Sequence, residues 1–219
     1  MNLEHARFNM IEQQIRPWSV LDEAVLATFG FVRRECFVPT AHQALAFVDM
    51  EIPLGSGEFM MPPRLEARMI QSLNVQPEDT CLEVGTGSGF VTACLAHMCR
   101  YVDSVDIYDD FTAQADTRLK ANNIRNYALH TGDALRTWSG NTLYNVIALT
   151  GSLPNEAYLL RFQEQLAMGG RLFAIVGTGI NMQAWLITRN AEDVFVRNNL
   201  FDTYVKPLVG VTQASGFSF

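Results

Sequence analysis

The chain has 219 residues, 48% of them apolar, and a formal net charge of -7. This length and composition support one sizeable hydrophobic core and leave too little chain for two full domains. The acidic balance argues against a general nucleic-acid binder, which needs a basic patch to neutralise phosphates, and no apolar run approaches the ~18 residues of a membrane span.

The N-terminus lacks a charged segment followed by an apolar stretch, so no secretory signal is expected. Cys36, Cys81, Cys94 and Cys99 show no Cys-x-x-Cys spacing and mostly lie in apolar surroundings. They read as reduced, buried thiols of a cytoplasmic protein, with no metal site. His5, His42, His97 and His130 are scattered and read as structural or surface groups.

In chain order, residues 4–48 read as helical. Ile11, Ile15, Val20, Leu21, Val25 and Leu26 form an approximate stripe, interrupted at Arg16-Pro17-Trp18, and a further short helix runs from Phe37-Val38-Pro39 to Leu45. Residues 51–63 read as a loop, with Gly55, Gly57, Pro53, Pro62 and Pro63. Leu65, Met69 and Leu73, four apart, mark the helix that leads into the core.

Strand and helix then alternate. Strands are expected at 80–84, 101–107, 126–131, 144–150 and 170–176. Val91, Cys94, Leu95 and Met98 stripe the first intervening helix, and Phe111, Ala115 and Leu119 the second. Asn155 caps a helix expected to reach Ala167, and residues 183–209 read as two more strands, whose order and direction the sequence leaves open. The pattern predicts a doubly wound α/β fold with a mostly parallel, seven-stranded, Rossmann-like sheet. It is expected to be a single domain, with an N-terminal helical segment and lid loop at 1–62, a binding core at 63–177 and C-terminal strands at 178–219.

The stretch from Leu82 to Phe90, Leu-Glu-Val-Gly-Thr-Gly-Ser-Gly-Phe, is the most informative in the chain. It reads as a strand ending in an acid, a glycine loop and a helix start. Glycine at 85, 87 and 89 permits a sharp turn and close approach of a ligand. A dinucleotide fingerprint would need a third glycine where Phe90 stands. The observed Glu-x-Gly-x-Gly-x-Gly is instead the motif of class I S-adenosyl-L-methionine-dependent methyltransferases, and Glu83 suits a ligand carrying an ammonium and a sulfonium. Asp106, 21 residues after Gly85, ends the second strand, where a carboxylate can accept two ribose hydroxyls. Glu83, Asp106, Asp133 and Thr150-Gly151 recur at the C-terminal ends of consecutive strands, the edge where open α/β sheets bind ligands.

Over nearly its whole length the chain resembles the protein-L-isoaspartate O-methyltransferases. The resemblance is carried by Met10-Ile-Glu-Gln-Gln-Ile-Arg16, Val25-Leu26, Val32-Arg-Arg-Glu-Cys-Phe-Val-Pro39, residues 82–96 (LEVGTGSGFVTACLA), Tyr144-Asn-Val-Ile-Ala148, Gly169-Gly-Arg-Leu-Phe-Ala-Ile-Val-Gly177 and Val205-Lys-Pro-Leu208. It implies S-adenosyl-L-methionine as cofactor and methylation of a carboxylate in damaged protein. Glu83, Gly85, Thr86, Gly87, Ser88 and Gly89 would surround the methionine portion. Asp106 with Ile107 would hold the ribose, and Asp133 with Ala134 the adenine. The loop at 53–63 would cover the cofactor and meet the acceptor through Phe59, Met60, Met61 and Pro63, and residues 205–208 would form a substrate-side strand.

Two places depart from the family pattern. Met61 stands where a Ser or Thr hydroxyl bonds the acceptor carboxylate, and Val205-Lys206 replaces Phe-Val before Pro-Leu. Glu58 reads as a solvent-exposed loop acid, and Ser56 has the wrong spacing to replace the hydroxyl. Three readings follow: methylation of isoaspartyl carboxylates, methylation of another acceptor such as a small metabolite beneath an apolar Phe59-Met60-Met61 lid, or cofactor binding without catalysis. Thr150-Gly-Ser-Leu-Pro154 lacks the Asn/Asp-Pro-Pro-aromatic run of base methylases, so nucleic acid is not an expected acceptor, and no membrane partner is expected. The sequence leaves the oligomeric state open.

Overall fold

The computed structural model describes residues 2–136, 138 and 142–211. The N-terminal region is helical in short pieces. α1 (Leu3–Met10) passes into a wider turn at Ile11–Ile15 and a tight one at Arg16–Trp18, which ends on Ser19 at φ 63°. Pro17 has no N–H and cannot continue an α ladder, which accounts for the break. α2 (Glu23–Phe31) begins at Asp22, whose carboxylate accepts from the N–H groups of Ala24 and Val25 at 2.8 and 3.2 Å. That cap satisfies donors a helix start leaves orphaned. Single turns follow at Arg34–Cys36 and Thr40–Leu45.

The stretch expected to be a loop holds an antiparallel hairpin, β1 (Ile52–Gly55) and β2 (Glu58–Met60), with Ile52 opposite Met60. Its turn needs three successive left-handed residues, Gly55, Ser56 and Gly57 at φ 106°, 52° and 75°. Glycine supplies two of them without steric penalty, which is why composition alone suggested irregular chain. α3 (Pro63–Leu73) opens with proline at its first position and ends on Asn74 at φ 45°.

The core follows as β3 (Thr80–Val84), α4 (Phe90–Met98), β4 (Tyr101–Asp106), α5 (Asp109–Ala121), β5 (Tyr127–Thr131), β6 (Tyr144–Leu153), α6 (Leu160–Gln163), β7 (Leu166–Thr178), β8 (Asn181–Ala191) and β9 (Val194–Asp202). The seven strands from β3 onward form one sheet in the order β5-β4-β3-β6-β7-β8-β9. All pairings from β5 to β7 are parallel, and β8 runs antiparallel to both neighbours.

Three expectations need correction. The helix after Asn155 is only a tight turn at Glu156–Leu159 and the single turn α6, because β7 begins at Leu166, opposite Tyr144, rather than at 170. β6 runs past Thr150 to Leu153. Residues 205–208 form no strand: Pro207 makes an isolated parallel bridge to Ser152, and its missing N–H prevents a continuous ladder.

Both faces of the sheet are covered, so the middle of β6, from Val146 to Leu149, is apolar. Val146 and Ala148 point into one cluster, with Cys81, Val102, Phe173 and the N-terminal helices. Ile147 and Leu149 point into the other, with Leu82, Leu172, Leu159 and Phe162. This is the burial expected of parallel strands flanked on both sides.

Candidate active site

The chain leaves β3 toward β4 and β5 on one side and returns to β6 on the other, so the order reverses between β3 and β6. A crevice at the C-terminal ends of such a pair is the usual ligand position in open α/β sheets. Here it is a cleft of about 800 Å³ including its open mouth, lined by Gly85 and Gly87 after β3, Asp106 and Ile107 after β4, Asp133 and Ala134 after β5, and Thr150 and Gly151 on β6. Thr150 and Gly151 reach it through a bulge. Between Ala148 and Ser152, β6 spends four steps against two on β7, which pushes the extra residues out of the ladder.

The three glycines have separate duties. A Cβ on Gly85 would collide with the hydroxyl of Thr150, which donates to the carbonyls of Val84 and Gly85 at 2.9 and 2.8 Å. Gly87, at φ 50°, leaves room for Leu54 of the hairpin, 3.1 Å from where a Cβ would stand. Gly89, at φ 85°, heads α4 and lets Ala115 of α5 approach to 3.0 Å of the same position. Gly89 is a wall residue of neither the cleft nor the recess behind the loop, and it serves helix packing.

Asp106 is 7% exposed and fixes the loop: its two oxygens accept from the N–H groups of Gly87 at 2.8 Å and Tyr108 at 3.0 Å. Burial raises its carboxyl above the usual range, against the pull of those donors. Asp133 accepts from the Leu135 N–H at 2.9 Å and lies 3.5 Å from Arg136 Nε.

Behind the glycine loop, a smaller recess of about 300 Å³ has Glu83, Glu66, Thr86, Ser88, Met60 and Met61 among its walls. The hydroxyls of Thr86 and Ser88 are used internally, the first with Ser104 at 2.6 Å, the second accepting from the Phe90 N–H at 3.2 Å. Glu83 is fully buried. Its Oε2 accepts from Thr92 and from Ser104, while Oε1 has no hydrogen-bond partner among the described residues. Burial raises its carboxyl to about 8, only partly opposed by the two hydroxyls. An unsatisfied buried carboxylate oxygen is costly, and a cation placed in the recess would remove that cost. The glycine cradle, the paired acceptors of Asp106 and this orphaned oxygen together fit a ligand with a ribose and an ammonium.

The opposite wall is the hairpin and residues 205–209. Phe59 lines the cleft and is 44% exposed; Met61 is 6% exposed and faces both cavities. Pro63 lines neither and starts α3. Glu58 is not a free loop acid. It pairs with Lys206, whose Nζ lies 2.6 Å from its carboxylate and 2.7 Å from the Gly57 carbonyl. The backbone of Met61 is held from below: its carbonyl accepts from Arg34 at 2.7 Å, and Arg34 is ion-paired with Glu66, donates to the Ala46 carbonyl at 3.0 Å and stacks on Phe90. Arg34 and Glu66 are almost completely buried. Desolvation raises the Glu66 carboxyl to about 7 despite its partner.

Sequence reasoning missed the Arg34–Glu66 pair and the contacts of Lys206. A signal existed for the first: Glu66 falls on the same helical face as Met69, Ile70 and Leu73, and a carboxylate on an apolar stripe demands a partner. Lys206 gave none, because its partners lie 148 and 149 residues away.

A sequence model of the protein-L-isoaspartate(D-aspartate) O-methyltransferase family matches residues 5–213. A protein-L-isoaspartate O-methyltransferase 2 of Pelobacter propionicus is 32% identical over 210 residues, covering 95% of this chain and 92% of its own. A protein-L-isoaspartate O-methyltransferase of Picosynechococcus sp. is 35% identical over 204 residues, covering 93% and 90%. Among solved structures, a Plasmodium falciparum protein described as an enzyme of this kind, in complex with S-adenosyl-L-homocysteine, shares the fold. Its TM-score is 0.76 at 18% identity, over 95% of this chain and 98% of its own. The chain belongs to the protein-L-isoaspartate(D-aspartate) O-methyltransferase family.

Proposed function

We propose that this chain, an S-adenosyl-L-methionine-dependent methyltransferase by family, esterifies the side-chain carboxylate of isoaspartyl residues in damaged proteins or peptides. The observation that carries the reading is the family match, which spans the cofactor loop, the hairpin and residues 205–208 together. A cofactor motif alone would leave the acceptor open. The altered residues Met61 and Lys206 sit within that matched span, on the acceptor wall.

In this reading Glu83 takes the cofactor's ammonium, Asp106 and Ile107 the ribose, and Asp133 and Ala134 the adenine. Gly85, Thr86, Gly87 and Ser88 contribute backbone around the methionine portion, and Gly89 keeps the loop against α5. Phe59, Met60 and Met61 roof the site and exclude water. When bound, S-adenosyl-L-methionine supplies a methyl group on a positively charged sulfur, and the carboxylate oxygen takes it as the bonding pair returns to sulfur. A carboxylate is already the nucleophile at neutral pH, so no protein base is required. The chain contributes positioning and dryness, worth roughly 7–11 kcal/mol in well-oriented reactions.

The four cysteines are free thiols, which supports a cytoplasmic location; no helix among the described residues is long and apolar enough to cross a membrane. Transfer of labelled methyl to an isoaspartyl peptide, but not to its aspartyl isomer, is the expected result. The label should be released as methanol by mild alkali. Labelling of small metabolites in a cell extract, with neither peptide modified, would replace this reading with the other acceptor class.

A further inference from the structure

The cleft is lined by four carboxylates, those of Glu51, Glu58, Asp106 and Asp133, and among the described residues by one cation, Lys206. Such a wall attracts a positively charged cofactor and opposes an anionic acceptor. Met61, buried on the acceptor side, offers no proton donor. An acceptor carboxylate therefore has one side-chain charge in the cleft that can hold it.

We propose that Lys206 is the specificity-determining anchor for the acceptor carboxylate, exchanging Glu58 for the incoming anion. The inference rests on the methyltransferase reading above and names the residue that sorts its acceptors. The backbone of Lys206 is pinned to the end of β6: its carbonyl accepts from the Ser152 N–H at 3.0 Å, and the Leu208 N–H donates to the Ser152 carbonyl at 3.0 Å. The buried Ser152 hydroxyl donates to the Val205 carbonyl at 2.7 Å. The root of the side chain is thus rigid, while the side chain as a whole is 41% exposed and its ammonium rests on the hairpin turn through Glu58 and Gly57. An ammonium has three donors, and these contacts occupy two. A strongly hydrated point charge on a flexible stem can move between two carboxylates without disturbing the fold. Esterification makes the acceptor neutral, so the ammonium loses that partner, returns to Glu58 and favours release of the ester.

A simple latch, in which the ion pair only ties down the hairpin, makes a different prediction. Full-length wild type, Lys206→Gln, Lys206→Arg and Glu58→Gln should be compared in two assays: steady-state methylation of an isoaspartyl peptide, and calorimetric binding of that peptide to protein saturated with S-adenosyl-L-homocysteine. Anchoring predicts that Lys206→Gln raises KM and peptide Kd ten- to a hundredfold, with kcat and cofactor Kd within a few-fold of wild type. Lys206→Arg should recover most of the loss. Glu58→Gln frees the ammonium and should lower KM. Equal increases in KM for Lys206→Gln and Glu58→Gln would establish the latch and overturn the anchor, as would an unaffected Lys206→Gln. A wild type that neither binds nor methylates the peptide would remove the isoaspartyl reading itself, and the anchor with it.

Discussion

On the β3–β5 wall of the cleft, Asp106 is buried and holds the glycine loop by two charge-assisted bonds to backbone N–H groups. On the opposite wall, the hairpin turn is held by Lys206 and Glu58, whose side chains are 41% and 20% exposed. Bonds of the first kind contribute about 1.5–3 kcal/mol each, and exposed pairs of the second kind about 0–1 kcal/mol. The wall assigned to the cofactor is therefore preformed, and the turn that faces the acceptor can open at little cost. Beneath both lies the Arg34–Glu66 pair, which joins the N-terminal segment to α3 and steadies Met61.

The contrast can be broken most severely at that base. Arg34→Ala leaves Glu66 buried without its cation and should destabilise the fold by about 3–5 kcal/mol in urea titration. Arg34→Met combined with Glu66→Leu should recover most of the loss, because a buried pair is offset by its own desolvation. Next is the cofactor loop. Gly85→Ala forces alanine to φ 97° and drives its Cβ into Thr150, so unfolding free energy should fall by more than the ~1–2 kcal/mol of the left-handed backbone alone. Adding Thr150→Ala should return the part due to collision. The smallest effect belongs to the acceptor wall: Lys206→Gln should change global stability by less than about 1 kcal/mol, even where it alters KM.

These two walls were unequally legible in the sequence. β3, its glycine loop and Asp106 lie within 27 residues, residues 80–106, so strand alternation and spacing placed them together without tertiary information. The acceptor wall joins residues 51–61 to residues 205–209, and no periodic pattern links them. The hairpin was hidden by the glycines that make its turn possible, and Glu58 looked exposed because Lys206 lies so far along the chain. Motif membership points to Gly89 and Pro63 but says nothing of their packing, in which one lies against Ala115 and the other starts α3. β7 outgrew its expectation because pairing with Tyr144, not local propensity, sets its start.

Glu83 gives the most direct measurement. Its folded carboxyl lies near 8, above the ~4.3 of an unfolded chain. The favourable contribution of this raised value is complete below about pH 4, and it is lost as pH rises through 8. Glu83→Gln should therefore melt higher than wild type at pH 8.5. Binding a cofactor ammonium at Oε1 requires the same proton to leave. Calorimetry of S-adenosyl-L-methionine binding at pH 5.5 and 7.0 should show wild-type Kd tightening by about tenfold or more, toward the limit of one decade per pH unit. Glu83→Gln should bind weakly and equally at both values. Tight binding by Glu83→Gln, or a wild-type Kd unchanged between the two, would contradict the assignment of this recess to the cofactor's cation.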